Sequence, residues 1–136
     1  MQAIALYRST FKPSVHLKKP YVMLGFNVFA ADTEEEAQFL ATSMQQAFVN
    51  LRSGHPKRLQ PPMEGYLNRI GPQERALLDQ VLSCAAIGSR NTVKRILKNF
   101  IEQTGADELM ITSQIFDHPA RLRSYEITAE LHEAFG

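Results

Sequence analysis

Cysteine is almost missing from this chain: Cys84 stands alone. A single cysteine excludes an intramolecular disulfide and fits a reducing compartment. Net charge is nearly missing too, at +1 from 15 basic and 14 acidic residues. Nothing in that balance points to nucleic acid or an anionic membrane as a partner. No apolar run approaches the roughly 20 residues that a membrane span needs, and no basic stretch followed by an apolar one opens the chain. The expectation is a cytoplasmic protein with no nucleic-acid and no membrane partner. Repeats and low-complexity tracts are absent as well. What remains is 136 residues, 44% of them hydrophobic, enough for one domain at most.

The stretch from Gly105 to Arg123 reads as helix stop, strand, turn and helix start. Glycine reaches the left-handed cap without strain, so Gly105 ends the preceding helix. Leu109 to Phe116 is an apolar run of strand length with β-branched Ile111, Thr112 and Ile115. Asp117 or His118 caps the next helix, and Pro119 suits its first turn. An apolar strand between helices is the repeating part of a parallel α/β sheet. Ligands of such sheets sit at the C-terminal strand ends, where Gln114, Asp117 and His118 fall.

Upstream, Ile4, Leu6, Tyr7 and Phe11 form a loose helical stripe that Pro13 stops, followed by a connector with Lys12, Lys18 and Lys19. Tyr21 to Ala31 reads as a strand, with Val22, Leu24, Phe26 and Val28 on one face and Met23 and Phe29 on the other. Gly25 leaves room for a neighbouring side chain, and Asn27 needs hydrogen bonds or a pocket. Thr33 and Glu36 have capping-box spacing, and Glu34, Glu35 and Glu36 sit at the positive end of the helix dipole. That role explains the acidic run without a metal. Ala37, Leu40, Met44, Ala47, Phe48 and Leu51 follow at helical spacing.

The stretch 54 to 72, rich in proline and glycine, is a long excursion of functional or interfacial type. His55, Lys57 and Arg58 within it carry no chemistry. A helix is expected from Pro72 through Ala86, with Leu78, Val81, Leu82 and Ala85 inward and Cys84 a buried small residue rather than a nucleophile. Ile87-Gly88-Ser89 reads as a tight turn, and Ser89 as the cap of a helix to Thr104 striped by Val93, Ile96, Leu97, Phe100 and Ile101. A glycine before a helix N-terminus can hold a phosphate, and a plain cap explains it equally well. The last helix, from Pro119, is expected to turn Leu122, Tyr125, Ala129 and either Leu131 or His132 inward.

Two parallel strands cannot bury five helices, and each leaves an unpaired edge. The missing surface must come from another copy or a longer chain. The expectation is a homodimer or higher closed oligomer, with Phe26, Phe29, Ile111 or Ile115 near the contact.

Several segments carry a family resemblance. They are Tyr7 to Ser14, Lys19 to Met23, Ala30 to Thr33, Thr42 to Arg52, Leu59 to Pro62, Gly105 to Met110, Gln114 to His118 and Ala120 to Ser124. In this order they resemble the C-terminal part of bacterial-luciferase-like flavin monooxygenases, nearest the alkanal monooxygenase-like branch. The resemblance implies an α/β fold, the C-terminal portion of a TIM (β/α)8 barrel with two parallel strands and about five helices. Residues 1 to 136 would form a single partial domain, the last quarter of the barrel, with 21 to 31 the seventh strand and 108 to 116 the eighth. It implies reduced FMN and oxygen acting on a small aldehyde-like substrate, with a flavin reductase as a partner of the full-length family. The family's histidine-bearing segment and most flavin-phosphate loops lie in upstream parts. This stretch alone is therefore expected to bind FMN weakly or not at all, and no residue is assigned a catalytic role. Pocket-lining candidates are Asn27, Gln114, Asp117 and His118, the last as a proton donor or acceptor or simply as a helix-start residue. Arg121 and Arg123 would reach a flavin phosphate or pair with Glu126 and other carboxylates. The contrasting reading is a non-catalytic, truncated module that self-associates without flavin.

Overall fold

The computed structural model describes residues 2 to 133 and 135. The element order is α1 (Gln2–Thr10), β1 (Met23–Ala31), α2 (Glu34–Arg52), α3 (Pro72–Val81), β2 (Ala85–Ser89), α4 (Arg90–Thr104), β3 (Glu108–Thr112) and α5 (His118–His132). Short 3-10 turns cover Tyr66–Asn68 and Leu82–Cys84.

The helix signals act as their chemistry dictates. The Thr33 hydroxyl accepts the Glu36 N–H at 3.1 Å, and the Asp117 carboxylate accepts the Ala120 N–H at 3.0 Å. Gly105 closes α4 at φ 57, a conformation that costs any other residue strain.

All strands are parallel and lie in the order β2-β1-β3. The segments expected to pair do so, Met23 opposite Glu108 through Asn27 opposite Thr112. The sheet nevertheless has three strands rather than the expected two. The run Ala85–Ser89 pairs with Asn27–Ala31, although it was expected to be a helix end and a turn. Its small residues suit close packing, with Ala86 and Gly88 buried. The 3-10 turn before it ends α3 early and leaves Cys84 exposed, not buried. β3 also stops at Thr112 instead of 116, because Ser113 turns off and gives its N–H to the Tyr125 hydroxyl at 3.1 Å.

β1 carries a core cluster on each face. Phe26, Val28 and Ala30 pack with Ala86, Val93, Leu97, Ile127 and Leu131 from β2, α4 and α5. Phe29 and Ala31 pack with Ala37, Leu40, Ala41, Met44 and Ile115, mostly from α2. The inward face of α5 is therefore Ser124, Ile127 and Leu131. Leu122 and Tyr125 are 50% and 40% exposed, contrary to the helical stripe read from their spacing. The stripe misleads because a serine occupies the central inward position. Ser124 hydroxyl accepts the Ala30 N–H at 3.0 Å and donates to the Val28 carbonyl at 3.4 Å. It takes the place of a ladder partner beyond the end of β3.

The proline-rich excursion wraps the outer side of α2, with Gln46 Nε2 donating to the Pro61 carbonyl at 3.0 Å and the Met63 N–H to Thr42 at 2.8 Å. Phe26, Phe29 and Ile115 are at most 2% exposed and Ile111 is half-buried, so the first three belong to the chain's own core and cannot line a contact with another copy. No helix among the described residues is long and apolar enough to cross a membrane.

Candidate functional site

Opposed residues of parallel strands point to the same side of the sheet. The register therefore puts Met23, Gly25 and Asn27 of β1 on one face with Glu108, Met110 and Thr112 of β3. This is the α2 side of the sheet, yet α2 covers only its far end, at Phe29 and Ala31. The strip is bare: Met23 is 48% and Met110 53% exposed, and a Cβ placed on Gly25 would meet nothing within 4 Å. Asn27, half-buried, ends the strip. Its Oδ1 accepts the Thr112 hydroxyl at 2.5 Å. At the opposite end the Tyr21 hydroxyl donates to Glu108 at 3.0 Å, and that carboxylate holds the phenol above its ordinary range.

The other candidates lie beyond the C-terminal end of β3 and are exposed. Gln114 is on the connecting loop. Asp117 is the cap of α5. His118 Nδ1 lies 2.8 Å from the Arg121 guanidinium; arginine only donates, so this nitrogen is the acceptor. Arg121 also reaches the Ile115 carbonyl at 3.4 Å. Arg123 pairs with Asp32 at 2.8 Å and Glu126 at 3.3 Å. The Asp32 carboxyl is held below its usual range by that hydrogen bond.

Clefts mark the surface of the described residues. One of about 470 Å³ lies between α2 and the excursion, at Phe39, Thr42, Met63 and Tyr66. Another of about 530 Å³ flanks β3, at Leu97, Ile101, Leu109, Ile111 and His132. The third, about 370 Å³, opens at the C-terminal ends of β1 and β2 between Asp32, Ser89, Arg90, Arg123 and Glu130. Asn27, Gln114, Asp117 and His118 border none of the three. No group of three or more His, Cys, Asp or Glu among the described residues is arranged to hold a metal.

At the junction of β2 and α4 one carboxylate oxygen gathers three hydrogen bonds, and sequence reading missed this central residue. Glu34 Oε1 accepts the Ser89 N–H at 3.1 Å, the Ser89 hydroxyl at 2.6 Å and the Thr92 hydroxyl at 2.5 Å. These bonds, the Ser89 hydroxyl first, hold the Glu34 carboxyl below its ordinary range. The glycine-then-helix segment that could have cradled a phosphate is thus filled by the chain's own carboxylate. No local signal could have found this, because the partners lie 55 and 58 positions apart.

No family model matches the chain. It is 46% identical over 132 residues to a protein of Escherichia coli (strain K12) named luciferase-like monooxygenase, covering 97% of this chain and 39% of that protein. It is 43% identical over 129 residues to the uncharacterized protein YvbT of Bacillus subtilis (strain 168), covering 95% and 38%, and 33% identical over 130 residues to YddN of the same bacterium, covering 96% and 38%. The crystal structure of apo-MsnO8 superimposes with a TM-score of 0.76 at 25% identity, over 97% of this chain and 41% of that one. The chain thus spans about two-fifths of the length of the curated relatives it matches. These likenesses support a luciferase-like monooxygenase relationship and an α/β portion of a larger barrel-type fold.

Proposed function

We propose that the chain is the C-terminal part of a flavin-dependent, luciferase-like monooxygenase that oxidises a small aldehyde-like substrate with oxygen and reduced FMN. The observation that carries this reading is the 46% identity to a protein of that name over nearly the whole of this chain. The bare strip of β1 and β3 supports it. In a closed barrel one sheet face is inside, filled by side chains from several strands. Met23, Met110 and the gap at Gly25 then form an apolar interior wall, with the Asn27–Thr112 pair as its polar end. Gln114 on the connecting loop, Asp117 as the cap of α5 and His118 as its first residue lie beyond the C-terminal end of β3, the end at which barrels bind their ligands. The single cysteine accords with a cytoplasmic setting.

The residues present do not fit a whole FMN. An apolar floor suits a flat ring. A phosphate needs several free donors, and the cradle at the start of α4 is filled by Glu34. Arg123 is engaged by two carboxylates and Arg121 by His118 and a carbonyl. No catalytic step is therefore derived from this chain by itself. Fluorescence titration tests the reading. The chain alone should leave FMN unbound at low micromolar concentration. The chain joined to the region of the E. coli relative that it does not match should bind FMN stoichiometrically. Failure of the joined protein to bind would refute the flavin reading.

Of the alternative, a folded module that self-associates without flavin, one part is favoured by an observation: the chain folding by itself. Both core clusters close within the chain, with Val28, Phe29, Ala30, Ala86 and Val93 at 0% exposure.

A further inference from the structure

We infer that the groove between α2 and the 54–72 excursion is a docking site for a second copy of this chain, and that the segment filling it is the other copy's basic connector, Lys12 to Lys19. Neither surface belongs to a sheet face or a strand edge, so the contact is independent of flavin and of any region that completes the sheet.

The groove is held open by its own bonds. One wall is α2, at Glu35, Phe39 and Thr42, and the other is the excursion, at Met63, Glu64 and Leu67. Thr42 ties the walls together: its hydroxyl donates to the Phe39 carbonyl at 2.6 Å and accepts the Met63 N–H at 2.8 Å. One turn along α2, Gln46 donates to the Pro61 carbonyl at 3.0 Å. Gly65, at φ 64, reverses the excursion, and its carbonyl accepts the Asn68 N–H at 3.0 Å. Walls fixed in advance spare an occupant the cost of ordering them. Between them Phe39 is 41% and Met63 37% exposed. Glu35 and Glu64 are the charged residues of the lining, and both are exposed.

The connector has the opposite character. Phe11 to Pro20 holds Lys12, Lys18 and Lys19 and no acidic residue. Every residue from Lys12 to Lys19 is exposed. A tight turn shapes it: the Ser14 N–H donates to the Leu17 carbonyl at 2.9 Å, and the Ser14 hydroxyl accepts the His16 and Leu17 N–H groups at 3.2 Å each. The tip of that turn presents Val15, 84% exposed, with Leu17 beside it at 38%. An apolar tip flanked by lysines thus matches an apolar groove flanked by glutamates. None of Lys12, Lys18, Lys19, Glu35 and Glu64 is spent on an ion pair among the described residues. The chain therefore carries groove and filler in equal number. In a two-fold pair the contact is made twice, which strengthens an interface whose single contact is small.

Charge reversal tests this on the full chain. Sedimentation at up to about 200 µM, as suits a weak interface of small area, should show reversible association. Raising the salt to about 0.5 M should weaken it by about fivefold or more, since exposed charges are then screened. Lys18→Glu with Lys19→Glu should sediment as a monomer, and so should Glu35→Lys with Glu64→Lys. All four positions are exposed, so each variant should keep the parent's circular dichroism spectrum. Mixing the two variants should restore association, because the connector of each then meets a groove of opposite charge. A labelled peptide of residues 11 to 20 should bind the parent chain and lose that binding on Glu35→Lys with Glu64→Lys. A parent that stays monomeric overturns the proposal even where the peptide binds, because the groove then serves a different cationic partner. Association that survives both reversals overturns it too, and puts the contact on another surface such as the bare strip of β1 and β3. A peptide that fails to bind the parent has the same consequence.

Discussion

Replacing Gly88 with alanine should destabilise the fold more than any other single-methyl change in the chain. Gly88 has φ 152, outside the range that a side chain adopts without cost. A Cβ there would lie 2.5 Å from Glu34 Oε2, 2.6 Å from Thr92 Cγ2 and 2.8 Å from Thr92 Cβ. Contacts under 3 Å must be relieved by movement, and every direction of relief is expensive. Moving Glu34 breaks its bonds to Ser89 and Thr92. Moving Thr92 shifts the first turn of α4. Moving the backbone disturbs the register of β2 on β1, where Gly88 faces Ala30. Overpacking of this kind costs about 1 to 3 kcal/mol, and a strained φ about 1 to 3 kcal/mol more. Taking roughly 2 to 6 kcal/mol together, and about 3 °C per kcal/mol for a domain of this size, the Tm should fall by about 6 to 18 °C. Thermal unfolding followed by circular dichroism, with a urea titration beside it, measures both. In a Glu34→Ala background the same change should cost less, because one of the clashing groups is gone. A Gly88→Ala protein melting within about 2 °C of the parent would refute the reasoning, and would mean that the junction yields freely.

The bonds on Glu34 and Asp32 also set a pH dependence. Both carboxyls are held below their ordinary range, so their contribution is present above the unfolded value near pH 4 and lost as pH falls through the folded one. Glu34→Gln should flatten the acid side of the stability curve below about pH 5, and an unchanged slope in urea titrations there would count against the linkage. Ser124→Ala leaves the Ala30 N–H and Val28 carbonyl without their partner; stability should drop by about 1 to 3 kcal/mol in denaturant titration, and a neutral result would show that water replaces the hydroxyl. Asn27→Ala should leave stability within about 0.5 to 1.5 kcal/mol of the parent, since it removes one bond on an open face, and a larger loss in the same titration would place Asn27 in the folding core instead.

The features legible in the sequence were those whose physics is local. Gly105 as a left-handed stop, Asp117 as a cap and Thr33 with Glu36 at a helix start each need only a few neighbouring residues. The pairing of 23 to 27 with 108 to 112 was legible because both runs are apolar and long enough to recognise. What escaped was set by distant contacts. β2 is five residues with two alanines, a glycine and a serine, and becomes a strand only because β1 offers it an edge. The face of α5 was misread because Ser124 is inward for its hydroxyl, not for its apolar area. Cys84 is exposed because α3 ends before it. Among the candidate site residues, Asn27 does find the polar partner that its place in an apolar strand demands, in Thr112. The sequence offered no sign that Glu34, one of three glutamates at a helix start, would reach across to α4.

Ser124 and Glu34 together explain how so narrow a sheet is held. A strand flanked by shorter neighbours exposes backbone groups wherever a neighbour ends, and each buried unpaired group costs about 1 to 3 kcal/mol. Beyond β3 the exposed groups of β1 are buried under α5, and Ser124 pairs them. At the end of β2 the Ser89 N–H is half-buried, and Glu34 pairs it. Beside Met23 and Gly25 the side chains are exposed and no polar side chain has been recruited. Water can serve those groups at no such cost in the isolated chain. Side-chain substitutes therefore appear where the chain buries its own backbone, and none appears along the flank left to solvent.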